Sequence, residues 1–114
     1  MTEILYDRGE LRLEMEGHAL AGPKGEDLVC AALSILMMSV ERRMQEQADG
    51  MLPCVRREPG RFVIQCRPEG ENEARCRECF DTVFAGFSLL AENRPEHVRV
   101  SLRDEEQTGE ERWS

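Results

Sequence analysis

The sequence predicts a single α+β domain, with five strands and two helices in the order ββαββαβ and both helices packed on a mostly antiparallel sheet. Three observations predict it. Short segments that alternate apolar and charged residues come in pairs joined by turn-forming residues, two long segments repeat apolar residues at helical spacing, and 114 residues suffice for one core.

Ile4, Leu5 and Tyr6 open a first strand, which Asp7-Arg8-Gly9 turns. Leu11, Leu13 and Met15 then alternate with Glu10, Arg12, Glu14 and Glu16, giving a half-buried strand with one face on the core and an acidic face in water. The two segments read as a hairpin. Gly17 ends the second strand where His18 begins, and Ala19–Gly25, with Gly22-Pro23 and Gly25, is a breaker-rich connection of the kind that stays mobile. The first helix begins near Gly25 or Glu26, with Glu26 and Asp27 placed to suit its dipole, and runs to about Gln47, where Asp49-Gly50 ends it. At roughly 100° per residue, Leu28, Ala32, Ile35, Leu36 and Ser39 form one stripe while Asp27, Cys30, Ser34 and Glu41 lie opposite. This phase turns Cys30 away from the aliphatic core. Met37 and Met38 flank the polar side, which a second subunit would partly cover.

Met51–Arg57 and Arg61–Arg67 make a second hairpin around Glu58-Pro59-Gly60, with Phe62, Ile64 and Cys66 facing one way. The second helix spans about Asn72–Glu92 on a stripe of Cys76, Phe80, Val83, Phe84, Phe87 and Leu90, and Asn93-Arg94-Pro95 stops it. Val98, Val100 and Leu102 alternate with His97, Arg99, Ser101 and Arg103 in a last strand, on which His97 reads as a solvated residue. The domain therefore covers residues 1–103, and 104–114 is an acidic, flexible tail.

Composition narrows the function. The longest apolar run, Leu28–Met38, contains Ser34 and falls short of the roughly 20 residues that cross a bilayer, so a soluble protein without membrane association is expected. Met1-Thr2-Glu3 has no basic region of the secretory kind. Five cysteines leave one over in any full disulfide scheme, which favours reduced thiols and a cytoplasmic location. A formal net charge of −8 argues against direct nucleic-acid binding and suits a basic partner.

The chemistry concentrates in Gly17–Ser34. A histidine at a strand end and a cysteine early in a helix, joined by a glycine-rich loop, are a base and a nucleophile able to meet. A thiol attacks carbonyls as a thiolate, so it needs a group that takes its proton; His18 is suited to this, because an imidazole titrates near neutrality. The plainer readings are a space-filling Cys30 and a hydrogen-bonded surface His18. Asp27 either orients His18 or complements the helix start. Ser34 either reaches the thiolate or a substrate carbonyl, or bonds back to the helix. Cys76-x-x-Cys79 with Cys54 and Cys66 has the makings of a four-thiolate zinc site, but only one such pair is present and it lies within a helix, so a core role for these four is expected and no metal or other cofactor is assigned.

Gly17-His18-Ala19, then a short glycine-containing loop, then Gly25-x-Asp27-x-Val29-Cys30-Ala31-Ala32-x-Ser34 resembles the signature of the ribosomal-processing cysteine protease family Prp. Leu33 stands where many relatives carry a β-branched residue, a departure that touches nothing catalytic. The resemblance implies a cytoplasmic, homodimeric endopeptidase that removes the N-terminal extension of one large-subunit ribosomal protein, the twenty-seventh of the L series, a basic substrate. By the matching positions Cys30 is its nucleophile and His18 its base, a Cys-His dyad supported by Asp27 and Ser34, with Gly17, Gly22 and Gly25 in the substrate loop. The alternative from another class is a non-enzymatic ribosome-assembly or scaffold protein whose thiol is inert.

Overall fold

The structure, a computed structural model, describes residues 1–17, 24–47, 53–68 and 70–104, and within the first helix the side chains of residues 28–46. Its elements are β1 (Thr2–Asp7), β2 (Arg12–Gly17), α1 (Lys24–Gln47), β3 (Cys54–Glu58), β4 (Arg61–Gln65), α2 (Asn72–Asn93) and β5 (Val98–Arg103), the order expected. They build one sheet of order β3-β4-β2-β1-β5. The β1–β2, β2–β4 and β3–β4 pairs are antiparallel and β1–β5 is parallel, which makes the sheet mixed. The second hairpin inserts β4 between β2 and β3, so β2 becomes the central strand. Its last residue is Gly17, and the segment after it must pass to the start of α1.

Period-two alternation sets the faces. Ile4, Tyr6, Leu13, Ile64 and Val98 point to the helix side and are buried with residues from both helices in one cluster. On α2 the expected stripe holds: Cys76, Phe80 and Phe87 are fully buried, with Val83, Phe84 and Leu90 packed against them. The helices approach closely where Gly86 meets Leu36, since a Cβ on Gly86 would lie 3.0 Å from a Leu36 methyl.

Helix α1 corrects the expected phase. Its buried residues are Val29, Leu33, Met37, Val40 and Met44, whereas Leu28 and Ile35 are exposed at 74% and 59%, Met38 at 46%, and Ser39 is exposed as well. Of the expected stripe only Leu36 packs on the core, with Ala32 half-buried. The reason is geometric: Val29, Leu33, Leu36, Met37, Val40 and Met44 lie within about 60° of one line along the helix. Cys30 and Ser34 therefore border the packed face instead of opposing it, and Met37 belongs to the core.

The outer sheet face is a lattice of ion pairs. Glu14 accepts from Arg12 at 3.0 Å and also from Arg61, Arg99 meets Glu3 at 3.2 Å, and Arg103 meets Asp7 at 3.7 Å. The acidic face expected on β2 is thus neutralised by arginines from its own and neighbouring strands. At the far side Tyr6 Oη donates to Asp81 Oδ1 at 2.7 Å, and Arg8 ties Asp81 at 3.0 Å to Asp104 at 3.3 Å. Residues 105–114 of the expected tail lie outside the described residues. Leu11, expected in β2, sits instead in the turn before it with φ 52°, its side chain buried and its carbonyl accepting from Cys66 N–H at 3.1 Å. That burial offsets a left-handed backbone that costs about 1–2 kcal/mol.

Candidate active site

The end of the central strand is where the chemistry gathers. A groove of about 230 Å³ runs from the β1 and β2 ends to the second hairpin, roofed by α1, and Cys30 and Ser34 line it together with Gly17. Its apolar lining is formed by Met15 and Phe62 of the sheet and Leu33 of α1. Cys30 is half-buried, reachable from the groove while held by the helix behind it. Ser34 lies one turn further on the same side. Ser39 and Thr82 bond back to the carbonyls of Ile35 and Glu78 at 2.7 and 2.9 Å, but Ser34 makes no such bond among the described residues and keeps its hydroxyl for the groove.

Gly17 has a structural reason to be glycine. Its φ is +151°, and a Cβ there would come 2.6 Å from the Met1 carbonyl oxygen and 2.8 Å from Thr2 Cα. Its N–H donates to the Gly60 carbonyl at 3.0 Å, which ties β2 to the second hairpin across the groove. His18, the next residue, and Gly22 lie outside the described residues. Gly25 falls in the first turn of α1, which begins at Lys24, and Asp27 is in the same turn with its side chain outside the description. The structure thus brings Cys30, Ser34 and Gly17 to one groove.

Sequence reasoning missed the groove's outer wall. Arg57 stacks over the Phe62 ring at 4.7 Å to its centroid and pairs with Glu41 of α1, bridging β3 to the helix. The signal was available in the register, because Arg57 faces Phe62 across the β3–β4 pair. Thr2 was missed as well, since a threonine opening a strand is ordinary in sequence.

The other thiols sit in different surroundings. Cys66 and Cys76 are buried, and burial first, then the neighbouring thiol, pushes Cys66 up to about 12 and Cys76 above the usual thiol range. The expected core role holds for these two and in part for half-buried Cys79, but not for Cys54, which is exposed on the outer sheet face. Among the described residues no group of three or more His, Cys, Asp or Glu is arranged to hold a metal. His97 is half-buried, not solvated as expected, with its carbonyl accepting from Thr2 N–H at 2.8 Å and its ring 3.9 Å from Glu96. Two larger hollows of about 350 Å³ open on the outer sheet face, one walled mainly by charged side chains such as Asp7, Arg12 and Glu14, the other by Arg12, Arg56 and Arg61 together with Cys54, Val55 and Val63. They have the volume for a ligand but not the pairing of an apolar lining with a helix-held thiol.

A small α+β domain that presents a half-buried cysteine in a groove beside the end of its central strand has a layout that suits a thiol hydrolase. Comparison with protein-family models matches residues 1–99 to the cysteine protease Prp family. The chain belongs to that family. Among solved structures, SMU.848 from Streptococcus mutans is 27% identical with a TM-score of 0.73, covering 90% of this chain and 92% of its own. The ribosomal processing protease Prp from S. aureus in complex with a substrate peptide is 19% identical with a TM-score of 0.76, covering 90% of this chain and all of its own, and shares the fold. A second structure of that protease, with a covalently linked product peptide, is 20% identical with a TM-score of 0.74 over 90% of this chain and all of its own. A comparison with curated proteins finds no match. Among the described residues no helix is long and apolar enough to cross a membrane.

Proposed function

We propose that the chain is an endopeptidase that removes the N-terminal extension of the twenty-seventh large-subunit ribosomal protein, using Cys30 as nucleophile and His18 as general base. The observation that carries this reading is that Cys30 and Gly17, the residue before His18, line the same groove. His18 takes the thiol proton as Cys30 Sγ adds to the scissile carbonyl. The tetrahedral adduct then expels the amine of the mature protein, which receives the proton from His18, and leaves a thioester on Cys30. Water attacks the thioester as His18 accepts its proton, releasing the extension as a carboxylic acid and returning the proton to sulfur. Ser34 supports the reacting atoms from one turn along α1, and Asp27 orients His18. Gly17, Gly22 and Gly25 are assigned to the substrate loop that the family resemblance implies.

A basic ribosomal protein suits a chain of net charge −8, and such a substrate belongs to the cytoplasm. The large apolar side chains of Leu28, Ile35 and Met38, exposed on the side of α1 away from its buried face, support a homodimer.

The test is incubation with the N-terminally extended ribosomal protein from the same genome, comparing the wild type with Cys30→Ala and His18→Ala. Processing by the wild type and its loss in both variants is the expected result. Iodoacetamide provides the second readout: Cys30 is expected to alkylate faster than exposed Cys54 as well as buried Cys66, whose thiol burial pushes up to about 12. A Cys30 that reacts no faster than Cys54 or Cys66 would instead match a non-enzymatic scaffold with an inert thiol.

A further inference from the structure

Among the described residues the buried polar or charged side chains are Thr2 and Asp7. Asp7 is accounted for: it accepts the Glu10 N–H at 3.2 Å and faces Arg103 at 3.7 Å. Thr2 is different. It opens β1 at 4% exposure, on the helix side of the sheet with Ile4 and Tyr6, and lines the groove that holds Cys30 and Ser34. Its hydroxyl makes no hydrogen bond among the described residues. Of the side-chain polar atoms sealed from solvent there, the one without a partner is Asp104 Oδ1, so Thr2 Oγ1 is not sealed and its remaining surface opens on the groove. A polar group this deep is normally satisfied.

Two neighbouring features bear on what satisfies it. A Cβ at Gly17 would stand 3.0 Å from Thr2 Oγ1, so glycine at that position leaves the hydroxyl uncovered on the side of the β2 end. Among the described residues the main-chain donors of the two strand ends are already used, Gly17 N–H on the Gly60 carbonyl at 3.0 Å and Thr2 N–H on the His97 carbonyl at 2.8 Å. The Ser34 hydroxyl and the Arg57 and Arg61 side chains also line the groove, but the Thr2 hydroxyl is the donor that the strand end itself offers to an incoming carbonyl, and the Met15, Leu33 and Phe62 lining suits the apolar side chains of the same ligand.

We infer that Thr2 is a substrate-positioning residue, whose hydroxyl donates a hydrogen bond to a main-chain carbonyl of an extended peptide lying beside Cys30. The inference rests on the protease reading and adds to it a fixed polar anchor, set in the sheet and independent of the segment between β2 and α1. Such a bond holds the peptide without taking part in proton transfer.

The test uses the full chain carrying Cys30→Ala, so that peptide is bound and not cut. The probe is a fluorescent peptide spanning the N-terminal extension and junction of the twenty-seventh large-subunit ribosomal protein from the same genome. Thr2→Val keeps the shape and strand preference while removing the donor, and Thr2→Ser keeps the donor. Thr2→Val is expected to raise Kd roughly 3- to 10-fold, and Thr2→Ser to stay near the parent. With Cys30 restored, Thr2→Val should leave iodoacetamide alkylation of Cys30 unchanged, because the small reagent does not use the anchor. Thr2→Ala, which also lacks the donor, gives the same comparison if valine packs badly. Unchanged Kd in the donor-less variants would overturn the inference, and slowed alkylation of Cys30 would overturn it by assigning the hydroxyl to the thiol. If Cys30→Ala with Thr2 intact binds no peptide, the protease reading fails and takes this inference with it.

Discussion

Glu14 illustrates how single side chains set the balance between charge and burial in this fold. It sits on the central strand, where burial raises its carboxyl and hydrogen bonds from Arg12 and Arg61 lower it, with the net shift downward from 4.5. A carboxyl depressed in the folded state contributes stability that is fully present above its unfolded value and is lost as pH falls through the folded one. Glu14→Gln should therefore lower the urea midpoint at pH 7, and the gap from wild type should close as pH falls below about 4.3. A gap that persists unchanged at pH 3 would show that packing, not charge, is the contribution. The arrangement was only half legible in sequence. Period two places Glu14 on the outer face, but its arginine partners come partly from β4, and that β4 and not β3 of the second hairpin docks on β2 is set by the tertiary fold.

At the scale of elements, the strands and α2 were readable because each carries one unambiguous pattern. Helix α1 was not, because Leu28–Met38 has apolar residues on nearly every side and two stripes are available at helical spacing. The choice between them is made by α2 and the sheet, which accept the face of Leu33 and Met37. The candidate site was legible as a motif but not as a surface: Cys30 and Ser34 were assigned through the resemblance to the Prp signature, while Thr2 and Arg57 reach the groove only through tertiary pairing. The end of β2 makes the dependence testable. Gly17→Ala places a Cβ 2.6 Å from the Met1 carbonyl and forces alanine to a φ of +151°. The expected cost is about 1–3 kcal/mol in urea unfolding, together with loss of processing, because the strand end must shift. A variant that keeps both stability and processing would mean that the β1–β2 end is looser than its contacts require.

On the scale of the whole molecule, one chain leaves an unexplained surface. Helix α1 buries one face on the core and turns Leu28, Ile35 and Met38 outward, Leu28 two turns before Ile35 and Met38 one turn after it, all within about 80° around the axis. Exposed large aliphatic residues scattered singly are ordinary, but a set on one side of the helix that carries Cys30 is what a subunit contact provides. If two copies meet there, the contact stiffens the same helix that positions the thiol, and dimerisation and activity become linked through α1. Ile35→Glu puts a charge within this set without touching the buried face of Leu33 and Met37. Sedimentation velocity should then show the wild type as a dimer and Ile35→Glu shifted to monomer by at least tenfold in dissociation constant, the equivalent of about 1.4 kcal/mol. Far-UV circular dichroism should be the same for both, since the residue is exposed in one chain. A wild type that sediments as a monomer at every concentration, or a variant that remains as dimeric as the wild type, would remove this set as the contact and leave α1 held by its own core alone.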